Sequence, residues 1–266
     1  VKNEYVNYLG SAWDVSESII KKEILDKISK KSIQSERNND VFELVDGQGT
    51  GKVAKKLMNK FLSIFIVSDN DSWINDYISK FIDRIAKNKH SVSWEHNIKK
   101  VQHGDICFLL SCGQIMLRNV MSRNKINLVV HESAVPKGKG WSPLTWQILE
   151  GKSKIPISLL EIADKVDSGK IYLQDEMVFK GHELIDELRS IQAKFTFKLC
   201  EKFIDRFPFI LNKGKEQEGK SSIYKKRWPK DSKIDTENSI SGSFNLLRTV
   251  DNERYPAFFY MKGKKY

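Results

Sequence analysis

The chain is poor in cysteine, with three in 266 residues. Cys107, Cys112 and Cys200 lack metal-ligand spacing, so no metal site is expected from them. An odd count offers no disulfide framework and suits a reducing, cytoplasmic compartment. Long apolar runs are also missing. None approaches the roughly 20 residues that span a bilayer, so no membrane partner is expected. No signal-peptide pattern opens the chain. It begins at Val1, mid-element, and stops at Tyr266 in an aromatic, strand-like run, so a fragment of a longer polypeptide is expected. There is no internal repeat and no long low-complexity segment. Acidic side chains are in deficit, 34 against 45 Lys and Arg, for a formal charge of +11. That balance suits a polyanionic partner or a phosphorylated substrate. The lysines are scattered rather than striped, which suits a plain solvated surface as well.

Hydrophobic residues make up 40% of the chain, enough for a real core in one large or two smaller domains. Residues 1–59 read as the tail of an upstream domain. They offer a strand pattern at 5–10 and helical spacing at Val15, Ile19, Ile20, Ile24 and Ile28. Apolar runs then flank Asp46-Gly47-Gln48-Gly49-Thr50-Gly51. This piece lacks the Gly-Lys-Ser/Thr ending of a phosphate loop. Leu44-Val45-Asp46-Gly47-Gln48-Gly49 resembles a turn near the C terminus of sugar-nucleotide hydrolases of glycosyltransferase-B shape. That resemblance implies a remnant without a complete site.

From Phe61 the pattern changes. Continuous apolar runs of strand length stand at 61–68, 105–111 and 126–130, with further strand-like stretches at 92–94, 155–162 and 171–178. Helical spacing appears at 73–86, at 142–149 behind Ser142 as cap and Pro143, and at 184–207. Strands alternating with helices imply an α/β fold, a Rossmann-like, mostly parallel sheet flanked by helices. Residues 60–207 form the expected catalytic domain. Residues 208–266 form a polar linker and a small C-terminal extension. The extension carries a basic cluster, Tyr224-Lys225-Lys226-Arg227-Trp228. Such a cluster can bind phosphates or stacked bases, and equally can be a solvated strand edge.

The chemistry gathers between 129 and 174. His131 ends an apolar run, and Asp167 sits in the loop between two later ones. A neutral imidazole is a competent base at neutral pH, and a carboxylate at its other nitrogen fixes the tautomer. Open α/β sheets place ligands outside the carboxyl ends of their strands, and both residues are expected there. Ser133 does not make this a serine hydrolase, because no Gly-x-Ser-x-Gly elbow exists.

Several spaced pieces then agree: His131-Glu132-Ser133-Ala134-Val135-Pro136, Gly138-Lys139-Gly140, Pro143-Leu144-Thr145-Trp146-Gln147-Ile148-Leu149-Glu150-Gly151, Asp167-Ser168-Gly169-Lys170-Ile171 and Gln174. Their order resembles the formyltransferase family across about residues 60–207. The resemblance implies formyl transfer from 10-formyltetrahydrofolate to an amine. It makes His131 the residue that assists deprotonation and Asp167 the one that orients it. It places the pterin along Ser111, Gly113, Gln114, Ile115 and Leu117, and against Ala163, Val166 and Asp167. Ser133, Lys137, Gly140 and Trp141 are candidates for contacting the amine substrate.

The first choice of substrate is a nucleotide-linked amino sugar of surface-glycan biosynthesis. Initiator tRNA is the runner-up, and a non-catalytic folate- or sugar-nucleotide-binding relic is a third reading. Self-association into a homodimer is left open. One departure stands out. The family carries Asn two residues before the His, and this chain has Val129. Losing such an oxyanion donor typically costs about 3 kcal/mol of transition-state binding. Asn127 shares the strand face but lies about 6.6 Å too far along. Ser111, Gln114, Ser133 or a backbone N–H are the candidate replacements.

Overall fold

The computed structural model describes residues 61–266. The expectations for residues 1–59, the glycine-rich turn included, lie outside the described residues. Leu62–Ile204 and Asn212–Tyr266 form one compact unit.

In chain order the elements are β1 (Ser63–Val67), α1 (Asn75–Ala86), β2 (Ser91–Glu95), β3 (Gly104–Leu109), α2 (Arg118–Met121), β4 (Asn124–His131), β5 (Lys139–Gly140) and α3 (Pro143–Leu149). There follow β6 (Lys154–Glu161), β7 (Ile171–Val178), α4 (Ile185–Arg206), β8 (Ile223–Tyr224), α5 (Ile240–Leu247), β9 (Tyr260–Met261) and β10 (Lys264–Lys265). Among the described residues, no helix is long and apolar enough to cross a membrane.

Six strands make the main sheet, in the order β2-β1-β3-β4-β6-β7. The first four are parallel. Strands β6 and β7 run antiparallel to their neighbours. The connection between them is residues 162–170, too short for the crossover that a parallel pair needs.

Side chains alternate across the parallel strands, so each apolar run feeds two layers. Phe65, Val67, Cys107 and Leu109 face one way and pack with Val101, Met116 and Val120. On the other face, Phe108 meets the edge of Phe203 from α4, ring centroids 6.4 Å apart. Helix α1 buries Ile78, Phe81 and Ile85, at three- and four-residue spacing. Phe81 stacks on Phe197 of α4 at 4.4 Å. The start of α1 is fixed by Asn75, whose Nδ2 donates to the carbonyls of Asp69 and Asn70 while its Oδ1 accepts from Ser68 Oγ.

Two local expectations are corrected. Ser142 precedes α3, but its backbone is left-handed, φ +48°, and its hydroxyl caps nothing. Pro143 alone marks that helix start, its ring needing no N–H partner there. Asp167, moreover, does not follow a parallel strand, and reaches the carboxyl end of β4 only because its loop folds back. Strand β6 runs backwards, so its last residue, Glu161, lies level with Leu128, three residues short of His131.

Candidate active site

The Asp167 loop begins at Ile162, whose N–H donates to the carbonyl of Asn127. It folds back over the sheet face that carries Val129 and His131. The reversal uses a left-handed residue, Asp167 itself, at φ +51°. Gln217 Nε2 holds the turn by donating to the carbonyls of Asp167 and Gly169, at 2.9 and 2.8 Å. Gly169 is required by close approach, because a Cβ there would lie 1.9 Å from the carbonyl of Glu161.

The result brings His131 Nδ1 to 3.8 Å from Asp167 Oδ1, with the two side chains 7% and 8% exposed. That is ion-pair reach, longer than a hydrogen bond. The other ring nitrogen, Nε2, lies 2.8 Å from the carbonyl of Gly138. A carbonyl only accepts, so Nε2 carries the proton and Nδ1 faces the carboxylate. Asp167 Oδ2 accepts from the N–H of Gly140 at 2.9 Å. One short stretch of main chain, residues 138–140, therefore touches both members of the pair.

That stretch is itself held from outside. Strand β5 pairs in parallel with β8. Lys139 N–H donates to the Ser222 carbonyl and Trp141 N–H to the Tyr224 carbonyl. The N–H of Gly138 donates to Ser222 Oγ at 2.9 Å. Gly140 has φ +95°, and a Cβ on it would lie 2.4 Å from the carbonyl of Tyr224. Gln217 and Ser222 come from a stretch whose composition reads as a polar linker. Nothing in its pattern signals that two of its side chains fix the site.

Neighbouring side chains are also fixed. Gln174 Nε2 donates to Ser158 Oγ at 3.0 Å, and Ser158 Oγ donates to the Ser133 carbonyl at 2.7 Å. Gln192 of α4 donates to Glu132 Oε1 at 2.7 Å. Burial raises the Glu132 carboxyl above its ordinary range, and the adjacent His131 opposes that rise. Among the described residues, no group of His, Cys, Asp and Glu could hold a metal ion.

Val129 packs against the apolar layer of Phe65, Val67, Cys107 and Leu109. The structure places Asn127 and the candidate replacement side chains Gln114, Ser111 and Ser133 as follows. Asn127 Nδ2 is spent on the Met121 carbonyl at 2.9 Å. Gln114 Nε2 is spent on Asp69 Oδ1 and the His96 carbonyl. Ser111 is exposed, in a left-handed conformation at φ +46°. Ser133 Oγ is buried without a hydrogen-bond partner among the described residues. Of these side chains it is the one buried and uncommitted.

The loop expected to meet the pterin follows β3. Asp69, just past the end of β1, anchors it by accepting from the N–H of Gly113 at 2.7 Å. Ile115 and Leu117 are 71% and 62% exposed, and Val166 is 66% exposed. Arg118 forks onto Asp164 through Nε and Nη2, joining this loop to the one that holds Ala163 and Val166. Of the substrate candidates, Ser133 lies under Gly138, and Gly140 touches Asp167. Lys137 is exposed, and Trp141 turns its ring onto Gly113.

Among curated relatives, the bifunctional polymyxin resistance protein ArnA of Wigglesworthia glossinidia brevipalpis is 29% identical over 184 residues, covering 67% of this chain and 28% of that protein. A methionyl-tRNA formyltransferase of Mycoplasma mycoides is 24% identical over 187 residues, covering 60% of this chain and 59% of the relative. The chain thus spans less than two thirds of either relative. A solved sugar N-formyltransferase from a Shewanella species shares the fold with a TM-score of 0.58 at 15% identity, over 77% of this chain and 95% of that one. The formyl transferase family profile matches residues 34–199, more than half of the sequence, and the chain belongs to the formyl transferase family.

Proposed function

We propose that the chain transfers the formyl group of 10-formyltetrahydrofolate to the amine of a nucleotide-linked amino sugar. The observation that carries this reading is the buried His131–Asp167 pair, assembled by a loop folded back for that contact. In the transfer, the amine nitrogen bonds to the formyl carbon and the bond from that carbon to N10 of the folate breaks. One proton passes from the amine to N10. His131 assists that proton's departure from the amine, and Asp167 faces the ring nitrogen where the positive charge then develops. When the reacting groups replace the Gly138 carbonyl at Nε2, the ring proton moves to Nδ1 beside Asp167, which leaves Nε2 free to accept the amine proton. Ser133, buried and uncommitted, is the candidate side chain to stand in for the donor missing at Val129.

The co-substrate reading rests on the two loops tied by Arg118 and Asp164. Ser111, Gly113, Gln114, Ile115 and Leu117 line one loop, Ala163 and Val166 the other. Exposed Ile115, Leu117 and Val166 would gain by covering a flat pterin.

A second reading, formylation of initiator tRNA, is favoured by the charge of +11 and by relatives that carry that name. The deciding experiment offers 10-formyltetrahydrofolate with a 4-amino-4,6-dideoxy sugar nucleotide, and separately with methionyl-tRNA. Turnover of the sugar is expected. Turnover of tRNA alone, falling steeply with salt, would reject the sugar reading. Folate binding with no turnover of either would leave a relic.

A further inference from the structure

Two features far apart in the sequence meet outside the site. Trp141 ends the loop that touches His131 and Asp167. Lys226 and Trp228 belong to the basic cluster that follows β8. Lys226 Nζ lies 4.5 Å from the Trp141 ring centroid and 4.9 Å from that of Trp228. Both indoles remain open to solvent, 46% and 51% exposed. Beneath them, Trp146 stacks on Tyr224 at 6.0 Å and 8°, and Arg227 lies 5.3 Å over Trp146. Hydrogen bonds tie the assembly at its base. Trp146 Nε1 donates to the Lys225 carbonyl, and Tyr224 Oη donates to both oxygens of Glu150.

The charges are arranged unevenly. Glu150 is committed to Tyr224 and Lys152, and Asp231 accepts from the N–H of Trp228. Lys226 has no carboxylate partner among the described residues. A lysine needs no ring to be stable in water, and two half-exposed indoles leave apolar surface wetted. Together they present flat apolar faces on either side of an unneutralised ammonium. Aromatic faces stack bases, and a lysine serves phosphate as a point charge. One ammonium between two rings suits a diphosphate better than a strand, which would need a continuous basic track.

We propose that Trp141, Lys226 and Trp228 form a subsite for a nucleoside diphosphate, the indoles stacking the base and Lys226 meeting the diphosphate. This rests on the sugar-nucleotide reading above and specifies which end of that substrate is held here. The subsite adjoins the reaction centre through the chain itself, since Gly140, the residue before Trp141, donates to Asp167. A ligand anchored on the indoles therefore has its other end within the reach of the loop that contacts His131.

The test is direct binding of UDP to the full chain, read by quenching of tryptophan fluorescence and by calorimetry. The parent protein is expected to bind. Trp228→Ala and Lys226→Gln should each bind about tenfold more weakly, and the Lys80→Gln charge control should match the parent. In steady state the same two variants should raise KM for the sugar nucleotide rather than lower kcat. Equal UDP affinity in the parent and both variants would overturn the proposal, as would no UDP binding by the parent. If Trp228→Ala instead loses a single-stranded oligonucleotide while UDP binds neither protein, the surface belongs to nucleic acid and the proposal fails. UDP binding without formyl transfer would retain the subsite and remove the catalytic reading, so the two failures are distinguishable.

Discussion

The buried His131–Asp167 pair and the exposed Trp141–Lys226–Trp228 group hang on the same loop and are specified in opposite ways. Inside, the loop works through its main chain, a carbonyl on His131 and an N–H on Asp167. Outside, it works through one side chain, the indole of Trp141, against a lysine. Buried polar contacts tolerate little, because an unmet partner has no water to turn to. Exposed ring contacts degrade gradually, because water replaces what is lost. Substitutions inside should therefore act as switches, and those outside as graded adjustments.

The largest expected effect is at the pair itself. His131→Ala should lower formyl transfer about 1000-fold or more, within the range that positioned acid–base groups contribute. Asp167→Asn should follow closely, because an amide no longer faces the ring with a negative charge. Both proteins should remain folded, checked by circular dichroism alongside the rate. Activity persisting in His131→Ala would move the reaction centre elsewhere.

Gly140→Ala attacks the loop that joins the two regions. Its φ is +95° and the added Cβ would meet the Tyr224 carbonyl at 2.4 Å, so β5 and β8 cannot both stay in place. A loss of about 100-fold in rate and about 1–3 kcal/mol in stability is expected. Loss of rate with intact UDP binding would show that the inner contacts depend on the loop more than the outer ones do.

How far the sequence reveals this contrast depends on where each contact is made. The parallel half of the sheet is legible, because Ile64, Ile66, Ile106 and Phe108 stand in short, wholly apolar runs. The His131–Asp167 pairing is legible only through its resemblance to a family, since its real geometry needs β6 to run backwards and the loop to return. Hydrophobic period says nothing of strand direction. Gln217 is not legible at all. Its role is two bonds to carbonyls, and main-chain acceptors leave no mark on a sequence. Trp141 and Lys226 are each visible as exposed types, but their meeting is a product of β5–β8 pairing, two residues on each side.

Val129→Asn sharpens the inner half of the comparison. A rate gain of about tenfold would mean the oxyanion position is vacant in the parent, and a loss would mean Ser133 or another donor already fills it. Ser133→Ala separates those outcomes, since it should cost rate only in the second case. The new amide also enters the apolar layer around Cys107 and Leu109, so a stability loss of about 1–3 kcal/mol is expected unless it finds a partner. Chemical denaturation measures that loss independently of rate.

The smallest effect is electrostatic and concerns Glu132. Burial holds its carboxyl above the ordinary range, while the neighbouring His131 and the hydrogen bond from Gln192 pull it back and Asp167 adds to the rise. The folded protein thus binds that proton more tightly than the unfolded chain does. The stability this lends is fully present below the unfolded carboxylate range and is lost as pH rises through the higher folded value. Glu132→Gln keeps an oxygen for Gln192 Nε2 and removes the charge. It should therefore be more stable than the parent at about pH 8, with the gap closing near about pH 4. Denaturation midpoints at the two pH values measure this. A gap independent of pH would mean that His131 already compensates the buried carboxylate, and that the inner region is less demanding of neutrality than its burial suggests.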